Sequence, residues 1–141
     1  MTGFALDPRL AANTRQLADW PLSRVLVMNE ARYRWLLLVP RRPGVTEIID
    51  LDDTDSQQLL CEIRAASKVL QSFPETHKIN VAALGNMVPQ LHVHVIARRL
   101  GDPAWPGVVW DKGPAEAMDG AKLAERMGEL RARIAADPAP R

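Results

Sequence analysis

Two of the three histidines in this chain occupy alternate positions in the segment Gln90-Leu91-His92-Val93-His94-Val95. Alternation of polar and apolar residues is typical of a strand with one buried face. Gln90, His92 and His94 are therefore predicted to share a face, while the apolar residues face the core. Because a neutral imidazole nitrogen is a competent nucleophile near pH 7, the pair is a candidate for covalent catalysis.

A glycine-containing loop, Gly85-Asn86-Met87-Val88-Pro89, directly precedes this segment. Compact turns of this kind can present backbone amides to an anion, which indicates a phosphate-like ligand beside the histidines. Histidines at i and i+2 could instead ligate zinc, but zinc needs a third ligand, and the nearby sequence offers no carboxylate or cysteine. We favour the anion over the metal, and we expect no metal and no other cofactor.

The segment from Gln90 to Arg98 resembles the signature of the histidine triad (HIT) family of nucleotide hydrolases and transferases. In that signature, three histidines alternate with hydrophobic residues and further hydrophobic residues follow. The resemblance extends over roughly Val25 to Arg98. Within it, a hairpin ending in Leu38-Val39-Pro40-Arg41, a helix, a strand carrying Asn80 and the glycine loop occur in the family's order.

The resemblance implies a role for each histidine. His92 matches the central histidine, which attacks the α-phosphorus and becomes nucleotidylated before water or another acceptor releases the nucleotide. The backbone carbonyl of Gln90 would accept a hydrogen bond from the other nitrogen of that ring. His94 would donate to a non-bridging phosphate oxygen and stabilise the charge that grows in the transition state. Four further residues are implied to bind the phosphate, the bridging oxygen or the ribose: Gly85, Asn86, Asn80 and Asn29.

Gln90 departs from the family signature, because it stands where the first histidine belongs. A glutamine amide forms hydrogen bonds but cannot deliver a proton at pH 7. We therefore favour dinucleoside polyphosphates or similar conjugates over phosphoramidates, whose amine leaving groups need protonation. Two hypotheses follow: a metal-independent nucleotide hydrolase or transferase acting through His92, or a nucleotide-binding sensor with little or no turnover.

Composition limits the classes of partner. With a net charge of +1, the chain has no general field that would concentrate a nucleic acid polymer or an anionic membrane, so we expect neither as a partner. The residues from Met1 to Trp20 lack an uninterrupted apolar region of the signal-peptide type, and the run from Trp35 to Pro40 is too short to cross a bilayer. These observations predict a cytoplasmic protein, in which the single cysteine, Cys61, is an inert core thiol.

The pattern of elements predicts one α+β domain over residues 1–141, with its core at about 22–100. We expect a mostly antiparallel sheet of about five strands, with helices packed mainly on one face. Thr54 and Gln57 form a capping-box pattern at the start of a helix that ends before Phe73-Pro74. The other predicted elements are a helix at Asp7 to Leu17, strands at Val25 to Met28, Trp35 to Val39, Ile79 to Leu84 and Leu91 to Ala97, a short edge strand at Thr46 to Ile49, and a terminal helix at about 114–136.

Several other residues allow more than one interpretation. The pairs Arg32/Arg34 and Arg98/Arg99 could contact phosphate or serve as exposed charges at a turn and a strand end. His77 is expected to be a solvated surface residue. Trp105 and Trp110 are expected to pack on the domain or on a second subunit, although one of them could stack on a base. The family resemblance implies a homodimer.

Overall fold

In the computed structural model, which describes residues 3–137 and 140, five antiparallel strands form one sheet in the order β1-β2-β3-β5-β4. The strands and helices follow one another as α1 (Pro8–Ala12), β1 (Thr14–Asp19), β2 (Ser23–Met28), β3 (Trp35–Pro40), α2 (Asp53–Gln71), β4 (Lys78–Ala82), β5 (Val93–Arg98) and α3 (Gly120–Ala136). Short 3-10 turns lie at Ile48–Asp50 and Val109–Lys112. Within the described residues, no helix is both long enough and apolar enough to cross a membrane.

The two faces of the sheet belong to different cores. On one face, alternate residues of the central strands pack against α2 and α3. On the other face, the intervening residues form a second cluster with α1 and the segment after β5. This arrangement confirms the predicted α+β architecture with helices mainly on one face. It also explains why β3 and β5 are buried at every position, because strands covered on both faces are not amphipathic.

The predicted helix from Asp7 to Leu17 is wrong in its second half. Helix α1 ends at Ala12, and β1 begins at Thr14 and pairs with β2. The Trp20-Pro21 pair lies in the turn between β1 and β2, where the Trp20 amide donates to the Ser23 carbonyl. Pairing with β2 supplies the backbone hydrogen bonds of this stretch, so tertiary context overrides its local amphipathic pattern.

The predicted edge strand at Thr46 to Ile49 is also wrong. The Asp50 carboxylate accepts hydrogen bonds from the backbone amides of Thr46 and Glu47, which closes a 3-10 turn. Short polar side chains that bond nearby backbone groups compete with strand pairing in this way. Strand β4 occupies that edge of the sheet instead.

The boundaries of several other elements differ from the predictions, including β4, which ends at Ala82 rather than Leu84. Helix α2 is capped by Asp52, whose carboxylate accepts from the Asp55 amide, rather than by Thr54. Helix α3 begins at Gly120 because Asp119 caps it, whereas residues 114–119 have no regular secondary structure. Strand β5 begins at Val93, which leaves His92 just before the strand.

Candidate active site

His92 and His94 lie side by side on the sheet face opposite α2. His94 is on β5, where it pairs with Leu37 of β3 and Ala82 of β4, and His92 precedes the strand by one residue. Their ring centroids are 5.0 Å apart, with an interplanar angle of 75°. Both residues are less than one-tenth exposed. The alternation along this segment therefore brings the two imidazoles together while its apolar residues join the helix-side core.

The ring of His92 is oriented by the backbone two residues before it. Its Nδ1 lies 2.7 Å from the Gln90 carbonyl oxygen. Because a carbonyl oxygen only accepts hydrogen bonds, Nδ1 carries the proton in this contact, and in the neutral ring the lone pair is on Nε2. This is the tautomer that a nucleophilic imidazole needs.

The ring of His94 is enclosed by two tryptophans: Trp35, which the sequence indicates only as part of a strand, and Trp110, one of two tryptophans expected to pack on the protein or to stack on a base. The Trp35 indole N–H donates to its Nδ1 at 3.0 Å, and Trp110 meets the ring edge-on with centroids 5.0 Å apart. Burial, followed by the nearby charge of His92, lowers the pKa of His94 from 6.5 to about 4. His94 is therefore a neutral hydrogen-bonding group at pH 7.

Gln90 connects the N-terminal segment to the loop before His92. Its amide nitrogen donates to the Ala5 carbonyl at 2.8 Å, and its amide oxygen accepts from the Asp7 amide at 2.8 Å. Both polar ends of the side chain are therefore engaged by backbone. The sequence places Gln90 at a position that is catalytic in the family signature. In the structure, its side chain holds the N-terminal segment.

The same tether places two charged residues beside the glycine loop. Arg9 donates to the Met87 carbonyl at 3.1 Å and forms an ion pair with Asp7. The pKa of Asp7 is lowered, mainly by the hydrogen bonds from Arg9 and to a smaller extent by the charge of His92. The N-terminal segment thus brings a carboxylate and a guanidinium to the histidine side of the sheet.

The glycine loop borders a small cavity next to His92. Gly85 adopts φ +72°, a left-handed conformation in which L side chains are strained. Asn86 is exposed beside it. The cavity has a volume of about 210 Å³ and is lined by His92 together with Gly85, Leu91, Ala83, Leu84 and residues 46–49. It provides space for a small ligand group within reach of the loop and of His92.

Asn80 and Asn29, which the family resemblance implies as substrate contacts, each use the amide oxygen in a contact within the fold, and Asn29 also lines the larger cavity described below. Asn80 lies on β4, two residues before Ala82, the residue that pairs with His94. Its amide oxygen accepts a hydrogen bond from the Arg98 guanidinium. The amide oxygen of Asn29 accepts from the Met118 backbone amide. Both oxygens therefore serve the fold, at Arg98 and at the segment that precedes α3.

A larger cavity lies on the other side of the two tryptophans. Its volume is about 620 Å³, and Trp35 and Trp110 form part of its wall while also contacting His94. Glu30, buried at its edge, pairs with Arg32 and accepts from the Glu116 amide. The remaining lining residues are Ala12, Asn13, Met28, Asn29, Val109, Gly113, Pro114, Ala115 and Ala117.

The basic residues considered as phosphate contacts are mostly engaged elsewhere. Arg98 is buried in a two-point ion pair with Asp102, and Arg34 pairs with Glu75 and Glu129. Trp105 packs at the Arg98 end of the sheet, edge-on to the exposed His77 ring. In the described part of the chain, no group of three or more His, Cys, Asp or Glu residues is arranged to hold a metal ion.

Comparison with known proteins places this geometry in a family. A family model described as HIT domain matches residues 10–101. A histidine triad protein from Bradyrhizobium japonicum is 48% identical, with a TM-score of 0.89, covering 94% of this chain and 99% of that chain. A histidine triad protein from Marinobacter aquaeolei is 43% identical, with a TM-score of 0.91, covering 96% and 98% respectively.

A curated relative has a named activity. The AP-4-A phosphorylase of Mycobacterium tuberculosis is 36% identical over 93 residues, which cover 55% of this chain and 48% of the relative. The chain thus spans about half the length of that protein. The matched family model, the related structures and the paired imidazoles at the start of β5 agree, and the chain belongs to the HIT domain family.

Proposed function

We propose that this protein is a nucleotide hydrolase or nucleotidyl transferase that cleaves at the α-phosphate of a nucleotide conjugate through a covalent nucleotidyl-histidine on His92. The observation that carries the proposal is the bond from His92 Nδ1 to the Gln90 carbonyl, which leaves the Nε2 lone pair free. A histidine nucleophile needs no metal to activate it.

The proposed reaction has two steps. The Nε2 lone pair forms a bond to the α-phosphorus while the bond to the leaving oxygen breaks, and the leaving phosphate departs as an anion. The imidazole then carries positive charge, which the Gln90 carbonyl stabilises through the Nδ1 proton. Water or another acceptor attacks the phosphorus, the bond between phosphorus and Nε2 breaks, and the proton of the acceptor passes to bulk water, which releases the nucleotide and restores neutral His92.

The surrounding groups support this chemistry. His94 lies beside His92 and offers a neutral N–H to a non-bridging phosphate oxygen. Gly85 borders the cavity next to His92, where the phosphates would lie, and the exposed Asn86 follows it in the loop. The larger cavity beyond Trp35 and Trp110 has the volume of a small-molecule pocket, and we assign the nucleoside to it.

The leaving group follows from Gln90. Its amide is engaged by the N-terminal segment and cannot donate a proton, so a leaving group that departs as a stable anion is favoured. Polyphosphates meet this condition and amines do not. Similarity to an AP-4-A phosphorylase also supports a dinucleoside polyphosphate as substrate.

We also propose that the protein forms a homodimer through the edge of the sheet at β4. Val81 of β4 and Leu84 just after the strand are apolar and exposed, and so is Ile49, which lines the same cavity as Leu84. An exposed strand edge with apolar side chains is a ready surface for pairing with another chain. A second copy of this chain would cover the surface and extend the sheet.

A nucleotide-binding sensor is the second candidate function. The observation that favours it is again Gln90, because losing a general acid typically lowers a rate by about 10²–10⁴-fold. A sensor would keep both cavities and release no product.

The experiment that separates the two functions compares the unmodified protein with His92→Asn. Each is incubated with diadenosine polyphosphates and with adenosine phosphoramidates, with and without a chelator, and rapidly quenched samples are analysed by mass spectrometry for a nucleotidyl adduct. We expect turnover in chelator, an adduct on His92, and neither in His92→Asn. The exposed histidine supplies a control, since His77→Asn should retain turnover.

The other outcomes are equally informative. Nucleotide binding without product or adduct would support the sensor. Activity that disappears in chelator would contradict the metal-independent mechanism. Turnover that persists in His92→Asn would overturn the assignment of the nucleophile.

A further inference from the structure

The two imidazoles of the site are held by hydrogen-bond partners of opposite kinds. His92 Nδ1 faces a carbonyl oxygen, which can only accept, whereas His94 Nδ1 faces the Trp35 indole N–H, which can only donate. In a neutral imidazole, one nitrogen carries the proton and the other carries the lone pair. The partner at Nδ1 therefore decides what each ring presents at Nε2.

We propose that Trp35 is a positioning residue that holds His94 as the Nε2–H tautomer, opposite to the tautomer that the Gln90 carbonyl imposes on His92. The indole occupies the Nδ1 lone pair of His94, so the proton of this ring resides on Nε2. One ring of the pair then offers a lone pair and its neighbour offers an N–H, from centroids 5.0 Å apart.

The position of Trp35 is fixed by the sheet. Trp35 lies on β3, two residues before Leu37, and Leu37 pairs with His94 of β5. The side chains of Trp35 and His94 therefore project from the same face of the sheet. Its side chain is almost completely buried in the second core cluster, which restrains its rotamer. Trp110 packs edge-on against both rings and helps to enclose the contact.

The neutral state of His94 is consistent with this arrangement. Burial holds the pKa of His94 at about 4, so the ring is uncharged near pH 7. A neutral ring carries its single proton on either Nδ1 or Nε2, and the hydrogen-bond partner decides which. If His94 had the opposite tautomer, Nδ1–H would face an indole N–H and both donors would be left unpaired in a buried site, which is costly.

The catalytic consequence rests on the proposed function, whereas the tautomer does not. A fixed Nε2–H is a preorganised donor for phosphate charge that grows in the transition state. Loss of the Trp35 donor should therefore lower kcat more than it raises KM, since an interaction made mainly in the transition state acts on kcat.

The test uses the full chain without nucleotide, labelled with ¹⁵N in histidine and tryptophan, at about pH 8, above the ordinary histidine pKa. Long-range ¹H–¹⁵N correlation spectra report which ring nitrogen is protonated, and His77→Gln and His92→Asn assign the three rings. We expect a pyrrole-type signal for His94 Nε2, a pyridine-type signal for its Nδ1 and the reverse for His92. A pyrrole-type Nδ1 in His94 would overturn the inference.

Two matched variants isolate the hydrogen bond. In Trp35→Phe, which removes the donor but keeps an aromatic ring, the two His94 nitrogen signals should move toward each other as the second tautomer becomes populated. In Trp110→Phe, which removes an indole that touches the ring without bonding it, the separation should persist. An unchanged separation in Trp35→Phe would contradict the proposal.

If Trp35→Phe fails to fold, the wild-type protein still tests the hydrogen bond between Trp35 and His94. A scalar coupling across the hydrogen bond between Trp35 Nε1 and His94 Nδ1 is expected, and its absence would overturn the inference. Because these spectra need no substrate, failure of the proposed function would leave them unaffected. Conversely, turnover that depends on His92, with the wrong His94 tautomer, would overturn this inference alone.

Discussion

The two faces of the sheet are built in different ways from alternate residues of the same strands. The face against α2 and α3 is aliphatic and is covered by regular helices whose periodic patterns are visible in the sequence. The opposite face carries His92, His94 and Trp35 and is covered mainly by irregular segments, which side chains such as Gln90, Glu30 and Asn29 hold through hydrogen bonds. One face therefore supplies most of the regular packing, and the other carries the candidate active site.

The comparison shows how a strand as short as β5 can both pack into the core and present a histidine of the candidate site. Because successive side chains point to opposite faces, Val93 and Val95 anchor the strand in the helix-side core while His94 remains available on the other side. The anchoring restrains the backbone and so places the imidazoles accurately. Substitutions on the two faces should therefore have separable effects on stability and on activity.

The largest expected effect on stability is on the helix face. Leu70 of α2 is fully buried, so Leu70→Ala should lower the free energy of unfolding by about 2–5 kcal/mol through lost burial and a cavity. Leu60 lies on the same helix but is 58% exposed, so Leu60→Ala should cost less than about 1 kcal/mol. Urea unfolding measures both. Similar losses for the two variants would break the distinction between buried and exposed sides of α2.

The next effect concerns pH and the opposite face. The folded-state pKa of His94 is about 4, against 6.5 when unperturbed, so between these values the unfolded chain binds a proton that the folded chain does not. Stability should therefore fall as pH is lowered through this window, by at most roughly 3 kcal/mol from this residue.

Urea unfolding of the wild-type protein and of His94→Gln across that range measures this contribution. The difference between the two curves is the relevant quantity, because the lowered pKa values of Asp7, Asp50, Glu75 and Asp102 also make the fold less stable in acid. His94→Gln should have the shallower slope, and the control His77→Gln should follow the wild-type curve. Parallel curves for all three proteins would show that His94 titrates normally in the folded state.

A smaller, local effect is expected at the tether. Gln90→Leu removes two hydrogen bonds to the N-terminal segment. Each bond contributes about 0.5–1.5 kcal/mol to the free energy that holds this segment against the rest of the fold. Exchange of the Asp7 backbone amide with solvent should become about 10-fold faster or more, with little change in global stability. The exposed Gln57 provides the control, since Gln57→Leu should leave this amide protected. Equal protection in both variants would mean that other contacts hold the segment.

The smallest expected effect on stability concerns the residue that caps the N-terminus of α2. Asp52→Ala should lower the free energy of unfolding by about 1 kcal/mol, because the carboxylate caps the Asp55 amide. Thr54→Ala, at the position that the capping-box pattern favoured, should cost less. The opposite order of the two losses in urea unfolding would restore the original prediction.

The parts of the fold predicted correctly were those whose signal is local. The stripe in α2 and the apolar runs of β2 and β3 have periods that depend on a few neighbouring residues. The errors arose where local preference and long-range pairing compete. The stretch from Thr14 to Asp19 fits an amphipathic helix as readily as a strand, and only the neighbouring β2 decides between them.

By itself, the sequence determined that two imidazoles share a strand face next to a glycine loop, since the alternation of side chains is a local property of the backbone. Only the tertiary structure decided what surrounds them. The indole that bonds His94 is 59 residues away in the chain, and the segment that Gln90 tethers is more than 80 residues away. No local periodicity encodes such contacts, because they exist only after strand order and register have brought distant residues together.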